Sequence, residues 1–141
     1  MNRLLIIACA IACVLSPLHA SAASNQLQRG KRVYAVFCAQ CHGKKLEGQP
    51  NWRQRKPNGR LPAPPHDASG HTWHHSDSDL FAMTKNGMVP PLAPAGYESD
   101  MPAWKDTLKD DDIWAVVAYI KSLWPEEQRN YQKEISASAT R

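Results

Sequence analysis

Cysteine is scarce in this 141-residue chain: there are four, and Cys9 and Cys13 fall inside the apolar run Leu4 to Leu15. That run is the longest of its kind and stops short of the roughly 20 residues that a bilayer core demands. No glycine-rich phosphate loop and no internal repeat occurs, so nucleotide-binding and solenoid architectures are excluded. Strand-like and helix-like segments do not alternate, which removes the usual setting of a dithiol oxidoreductase. Acid is nearly missing from positions 29 to 60, where Glu47 alone stands against nine Lys or Arg.

The start of the chain accounts for the first cysteine pair. Arg3 supplies a positive n-region, the apolar run follows, Pro17 breaks it, and Ala20-Ser21-Ala22 has the small-x-small form of a cleavage site. Residues 1–22 therefore read as a signal peptide, residues 23–125 as one domain, and residues 126–141 as a charged, partly helical tail that frays. The residues before Cys9 and Cys13 match a lipoprotein signal poorly, so both cysteines are expected to leave with the leader. The expected location is the periplasm, with no stable membrane insertion after cleavage. What remains is enough for one small domain with a modest core of its own.

The chemistry is concentrated in Cys38-Ala39-Gln40-Cys41-His42. Two thiols three positions apart can add across the two vinyl groups of one porphyrin, and the histidine after them can place an imidazole nitrogen on the iron. One covalent haem c, held by Cys38 and Cys41 and ligated by His42, is the expected cofactor. A redox dithiol and half of a zinc site are the competing readings. The first lacks its strand and helix alternation, and the second lacks a matching Cys or His pair.

Around the motif the pattern is helical with long loops. Leu27, Gly30, Val33, Tyr34 and Phe37 recur at three- and four-residue intervals and predict a helix over 25–37. Gly30 on its face suits the close passage of another helix. Gly43 to Arg60 reads as a polar loop, and Leu61 to Pro65 as a stiff extended run that can offer a carbonyl, of Pro64 or a neighbour, to Nδ1 of His42. Four of six histidines cluster at His66, His71, His74 and His75. They are either ligands of a second metal, copper or zinc, or groups that bond loop backbone and haem propionates, with Trp73 over the porphyrin edge. Ser76 with Asp79 marks a helix start and Gly87 its end, with Leu80, Met83 and Thr84 facing inward. The loop Met88 to Pro102 ends in Asp100-Met101-Pro102-Ala103-Trp104. Met101, set extended by the following proline, is the expected sixth ligand, with Met88 the competitor. Ile113, Val116, Val117, Ile120 and Leu123 form the stripe of a last strong helix over 110–123, expected to cross the first at Gly30 near Tyr119.

Taken together, Gly30 before Cys38-x-x-Cys41-His42, Met101-Pro-x-Trp104, and the Ile-Trp-Ala-Val-Val-Ala-Tyr-Ile-Lys-Ser-Leu helix resemble the class I monohaem c-type cytochromes of bacteria. The resemblance implies an all-α cytochrome c fold, with N- and C-terminal helices crossing over a covalently attached haem that is exposed at one edge. It also implies His42 and Met101 as axial ligands and Trp104 near a propionate. The chain departs from the smallest members by a long insertion from Lys44 through His75, and by Lys109 where a Ser or Thr cap is expected.

An iron with both axial positions filled by protein has no open place for substrate, and no nucleophile and base stand beside it. The expected role is thus an exported one-electron carrier and not an enzyme. A dedicated haem subunit of one oxidoreductase, copper-related if the histidines bind metal, and a haem protein that binds small molecules are the alternatives. Residues 29–60 carry net +8 and residues 61–141 net −5. That asymmetry suits an acidic docking surface on a redox partner, or is an ordinary solvated face. Nucleic acid is not an expected partner.

Overall fold

The computed structural model describes residues 17–139, with side chains from Ser21 onward. Most of the expected signal peptide, residues 1–16, lies outside the described residues. No strand occurs among the described residues, and none of their helices is long and apolar enough to cross a membrane.

The described part of helix α1 (Pro17–Val33) carries Lys31 and Arg32 in its last turn. It runs on into a π-helical turn, Tyr34–Cys38, in which the Ala39 N–H bonds the Tyr34 carbonyl five residues back. A short α-helical turn, α2 (Ala39–His42), completes the segment. A π turn takes in one residue more than α geometry does. It therefore rotates the cysteine motif relative to the buried positions Gly30, Val33 and Tyr34, leaving His42 buried and Cys41 exposed.

Helix α3 (Asp77–Asn86) starts where expected: the Asp79 N–H donates to Ser76 Oγ at 3.1 Å, and Asp77 and Asp79 sit in the first turn. Leu80 and Met83 are buried, and Gly87 follows the last turn. Helix α4 (Asp110–Ser122) buries Ile113, Ala115, Val116, Val117 and Ile120. Lys109 precedes it without a capping hydroxyl, and Asp112 does the capping work. One oxygen of Asp112 accepts from the Lys109 N–H at 3.2 Å, and the other accepts from Arg29 Nε of α1 at 2.7 Å.

Helices α1 and α4 make the main helix pairing. A Cβ placed on Gly30 would lie 2.0 Å from the Ala115 carbonyl oxygen and 2.7 Å from Tyr119 Cβ, so the two backbones touch at the glycine expected to mark the crossing. Two members of the expected stripes differ. Leu27 is exposed, three residues before Gly30, the first buried position of α1, and Leu123 is 51% exposed because α4 ends at Ser122. Trp124, only 1% exposed, fills the core in its place and donates its Nε1–H to the His66 carbonyl at 2.7 Å.

The segment after Pro125 is the clearest difference from expectation. Instead of a fraying tail it forms helix α5 (Glu126–Ala139), docked against α3 and the 3₁₀ turn Thr72–His74. Its anchor is polar. Fully buried Gln132 donates through Nε2 to Asp77 Oδ1 (2.7 Å), Ser136 Oγ (2.9 Å) and the His75 carbonyl (3.2 Å), while Lys121 of α4 ion-pairs with Asp77.

Candidate haem centre

Between the end of the motif segment, α3, α4 and the two long loops lies a cavity of about 690 Å³. Leu80 and Met83 of α3 and Val116, Val117 and Ile120 of α4 give it an apolar floor, continuous with the core of the domain. Cys38, Cys41 and His42 line it from the motif segment, Met88, Leu92 and Met101 from the loop after α3, and Leu61 and Pro62 from the stiff run. Two tryptophans, Trp52 and Trp104, complete the wall, and Trp104 packs edge-on against Phe37 with ring centres 5.4 Å apart.

His42 is held by the chain on either side of it. Its Nδ1–H donates to the Pro64 carbonyl at 2.8 Å, which puts the proton on Nδ1 and leaves Nε2 with a lone pair. Pro64 comes that close because Gly48, at φ +69°, has no Cβ; one placed there would meet the Pro65 nitrogen at 2.4 Å. The Gly48 N–H also donates to the His42 carbonyl (2.8 Å), and the Tyr34 hydroxyl donates to the Gly43 carbonyl (2.9 Å). Burial lowers the His42 pKa despite the Pro64 bond, favouring the neutral imidazole that a metal requires. Burial pushes the Cys38 thiol up to about 12, with the neighbouring Cys41 adding to it, whereas Cys41 is exposed.

The histidine cluster is divided between two tasks. His66 stacks on His42 with ring centres 3.9 Å apart, and its Nδ1 is 2.8 Å from Thr72 Oγ1. Its backbone is fixed to Leu46, whose carbonyl accepts from the His66 N–H at 2.8 Å. His66 was not foreseen as a neighbour of His42; burial holds its pKa well below the ordinary value, so it is a neutral ring there. His71 and His75 also line the cavity, and His71 stacks on Trp52 at 5.4 Å. His74 turns away and packs with Trp73 against Tyr131 of α5. Trp73, expected over the porphyrin edge, is absent from the cavity wall and packs edge-on on Tyr131; Trp52 lines the wall instead. Among the described residues no group of three His, Cys, Asp or Glu is placed to hold a metal ion.

Three methionines line the cavity. Met83 belongs to the buried face of α3, as expected, while Met88 and Met101 come from the loop. Just beyond Met101, the Trp104 N–H returns to the Thr84 carbonyl (3.2 Å) and the Lys105 N–H to the Lys85 carbonyl (3.0 Å). Just before it, Asp100 pairs with Lys56 and Arg60, whose hydrogen bonds hold its carboxyl below the usual range. The basic stretch 29–60 is thereby partly spent inside the protein: Arg29 pairs with Asp111 and Asp112, and Lys56 and Arg60 with Asp100 and Glu98.

This donor set fits a haem. An apolar cavity of this volume is in the range of cofactor sites. It presents two thiols that can add to porphyrin vinyl groups, together with an imidazole with a free Nε2 and loop thioethers, the ligand types of c-type haem iron. The family model described as cytochrome c oxidase, cbb3-type, subunit III matches residues 25–120, from the middle of α1 nearly to the end of α4. The chain belongs to this family. It is a c-type cytochrome with the all-α cytochrome c fold, and its chemistry is haem-based electron transfer. Comparison with curated proteins and with solved structures gave no match. In this cytochrome the matched residues include every member of the candidate centre, while α5 lies beyond them.

Proposed function

We propose that the cytochrome is an exported one-electron carrier, periplasmic, with a single haem covalently joined to Cys38 and Cys41 and ligated axially by His42 and Met101. When bound, the haem supplies an iron that gains and loses one electron. The observation that carries the reading is the His42 to Pro64 bond beside the two cysteines, because it fixes both the tautomer and the direction of the imidazole. His42 and Met101 would fill both axial positions and so exclude a substrate, and the apolar residues of α3 and α4 would exclude water from the centre. Excluding water and keeping the ligand set constant reduces the rearrangement that accompanies each electron, which is what a carrier needs. Of the cations after the motif, Lys44, Lys45 and Arg53 are exposed and make no ion pair among the described residues, so they suit docking to an acidic redox partner.

In spectroelectrochemistry the matured protein should titrate reversibly as a one-electron couple. Its reduced form at neutral pH should take up no carbon monoxide within minutes. Ready uptake would place it instead with haem proteins that bind small molecules. The second reading, a dedicated subunit of one oxidoreductase, draws on the family's description as an oxidase subunit. Stable co-purification with a larger redox complex would favour it, and copper in the isolated cytochrome would favour its copper-related form.

A further inference from the structure

Within the insertion, the polar loop that separates the motif from the stiff proline run ends in a compact turn. The Lys56 N–H donates to the Arg60 carbonyl at 2.9 Å, the Gly59 N–H to the Lys56 carbonyl at 2.8 Å, and Arg55 NH1 to the Gly59 carbonyl at 2.6 Å. The turn sets the Lys56 and Arg60 side chains beside each other, and both reach the residue immediately before Met101. Lys56 ion-pairs with one oxygen of Asp100, and Arg60 NH1 meets the other at 2.6 Å. Arg60 Nε also lies 3.4 Å from Glu98, and the Arg55 guanidinium sits 5.8 Å from the centre of the Tyr97 ring.

The loop has little else to hold it on that side. Among the described residues, no backbone hydrogen bond outside the helices joins residues 94–103 to another part of the chain. The Tyr97 N–H goes to the Pro94 carbonyl and the Met101 N–H to Ser99 Oγ, both within the loop. The ties to α3 begin only at Trp104.

We propose that the Lys56–Asp100–Arg60–Glu98 network is a clasp that positions Met101 at the cavity, so that the inserted turn sets how readily an outside ligand displaces this methionine. The proposal rests on Met101 being the sixth ligand. The four charged groups are positioning residues, and they act through the loop. Their side chains are between 37% and 66% exposed, so salt screens the clasp.

The test uses the matured, oxidised full-length protein at neutral pH, with imidazole as the competing ligand. Asp100→Asn removes the charge with little change of shape, and Lys56→Gln weakens the same network from the far side. Each should bind imidazole more tightly than wild type at low salt, Asp100→Asn by about fivefold, while the far-ultraviolet melting midpoint stays within a few degrees. Wild type should approach the Asp100→Asn affinity in about 1 M KCl, where the Debye length is only about 3 Å, and the variant should respond little to salt. The wild-type salt titration stands by itself if a variant fails to fold. Equal imidazole affinities, or equal salt responses in wild type and Asp100→Asn, would overturn the clasp. A wild type without the near-infrared sulfur-to-iron band would overturn the Met101 ligation and the clasp with it; a wild type with the band but indifferent variants overturns the clasp alone.

Discussion

A Cys38→Ser/Cys41→Ser double variant is expected to yield no haem that survives denaturation, and to lose most of its helical signal at 25 °C. The reason lies in where the cavity sits. Its floor is made of Leu80, Met83, Val116, Val117 and Ile120, which are also members of the buried core cluster, so its contents and the core form one packing unit. Without its occupant that apolar floor would face water, and apolar surface left exposed costs about 25 cal/mol per Å². The chain is therefore expected to depend on the occupant that the two thiols are proposed to tether. Haem staining on a denaturing gel reads the first effect, and far-ultraviolet circular dichroism the second. A double variant as helical and heat-stable as wild type would show that α1, α3 and α4 pack without the tethered group.

Gly30→Ala is expected to lower the melting temperature by about 10 °C. In an ordinary helix interior the same change stabilises by about 0.8–1 kcal/mol. Here the sign reverses, because the new Cβ would lie 2.0 Å from the Ala115 carbonyl oxygen and 2.6 Å from its carbon. Those are backbone atoms of α4, and no side-chain rotation can relieve the overlap. The helices must separate, which also strains the Arg29 to Asp112 bond one residue away. Overpacking of this kind costs about 3 kcal/mol, and for a domain of this size each kcal/mol moves the midpoint by about 2–8 °C. Thermal melts of wild type and Gly30→Ala side by side decide it. An unchanged or raised midpoint would mean that the two helices do not meet backbone to backbone at Gly30.

The parts of the site that could be read from sequence are those fixed by local chemistry. Cys38, Cys41 and His42 are adjacent in the chain, so their spacing alone states what they can bind. The Pro64 carbonyl and the Gly30 crossing followed from rigid or absent side chains, whose consequences do not depend on distant partners. Trp124 was missed, although it continues the spacing of Ile113, Val116, Val117 and Ile120 by four residues; Leu123, expected in its place, ends outside the core because the helix stops before it. The π-helical turn at Tyr34–Cys38 has no such local mark. The docking of α5, expected only as a partly helical tail that frays, escaped because its anchor is Gln132, a polar residue whose burial depends on Asp77 and the His75 carbonyl, more than 50 positions away. The same holds for His66 against His42 and for the pairing of Lys56 and Arg60 with Asp100. In sequence those charges are an undifferentiated basic run and a distant acid, and only the fold brings them together.

The most direct measurement is the near-infrared absorption of the oxidised, matured cytochrome, taken for wild type, Met101→Ala and Met88→Ala. Ligation by His42 and Met101 requires a sulfur-to-iron band in wild type, its loss in Met101→Ala, and its retention in Met88→Ala. A band that survives in Met101→Ala, or is missing from wild type, would contradict the proposed ligand set and the carrier function built on it.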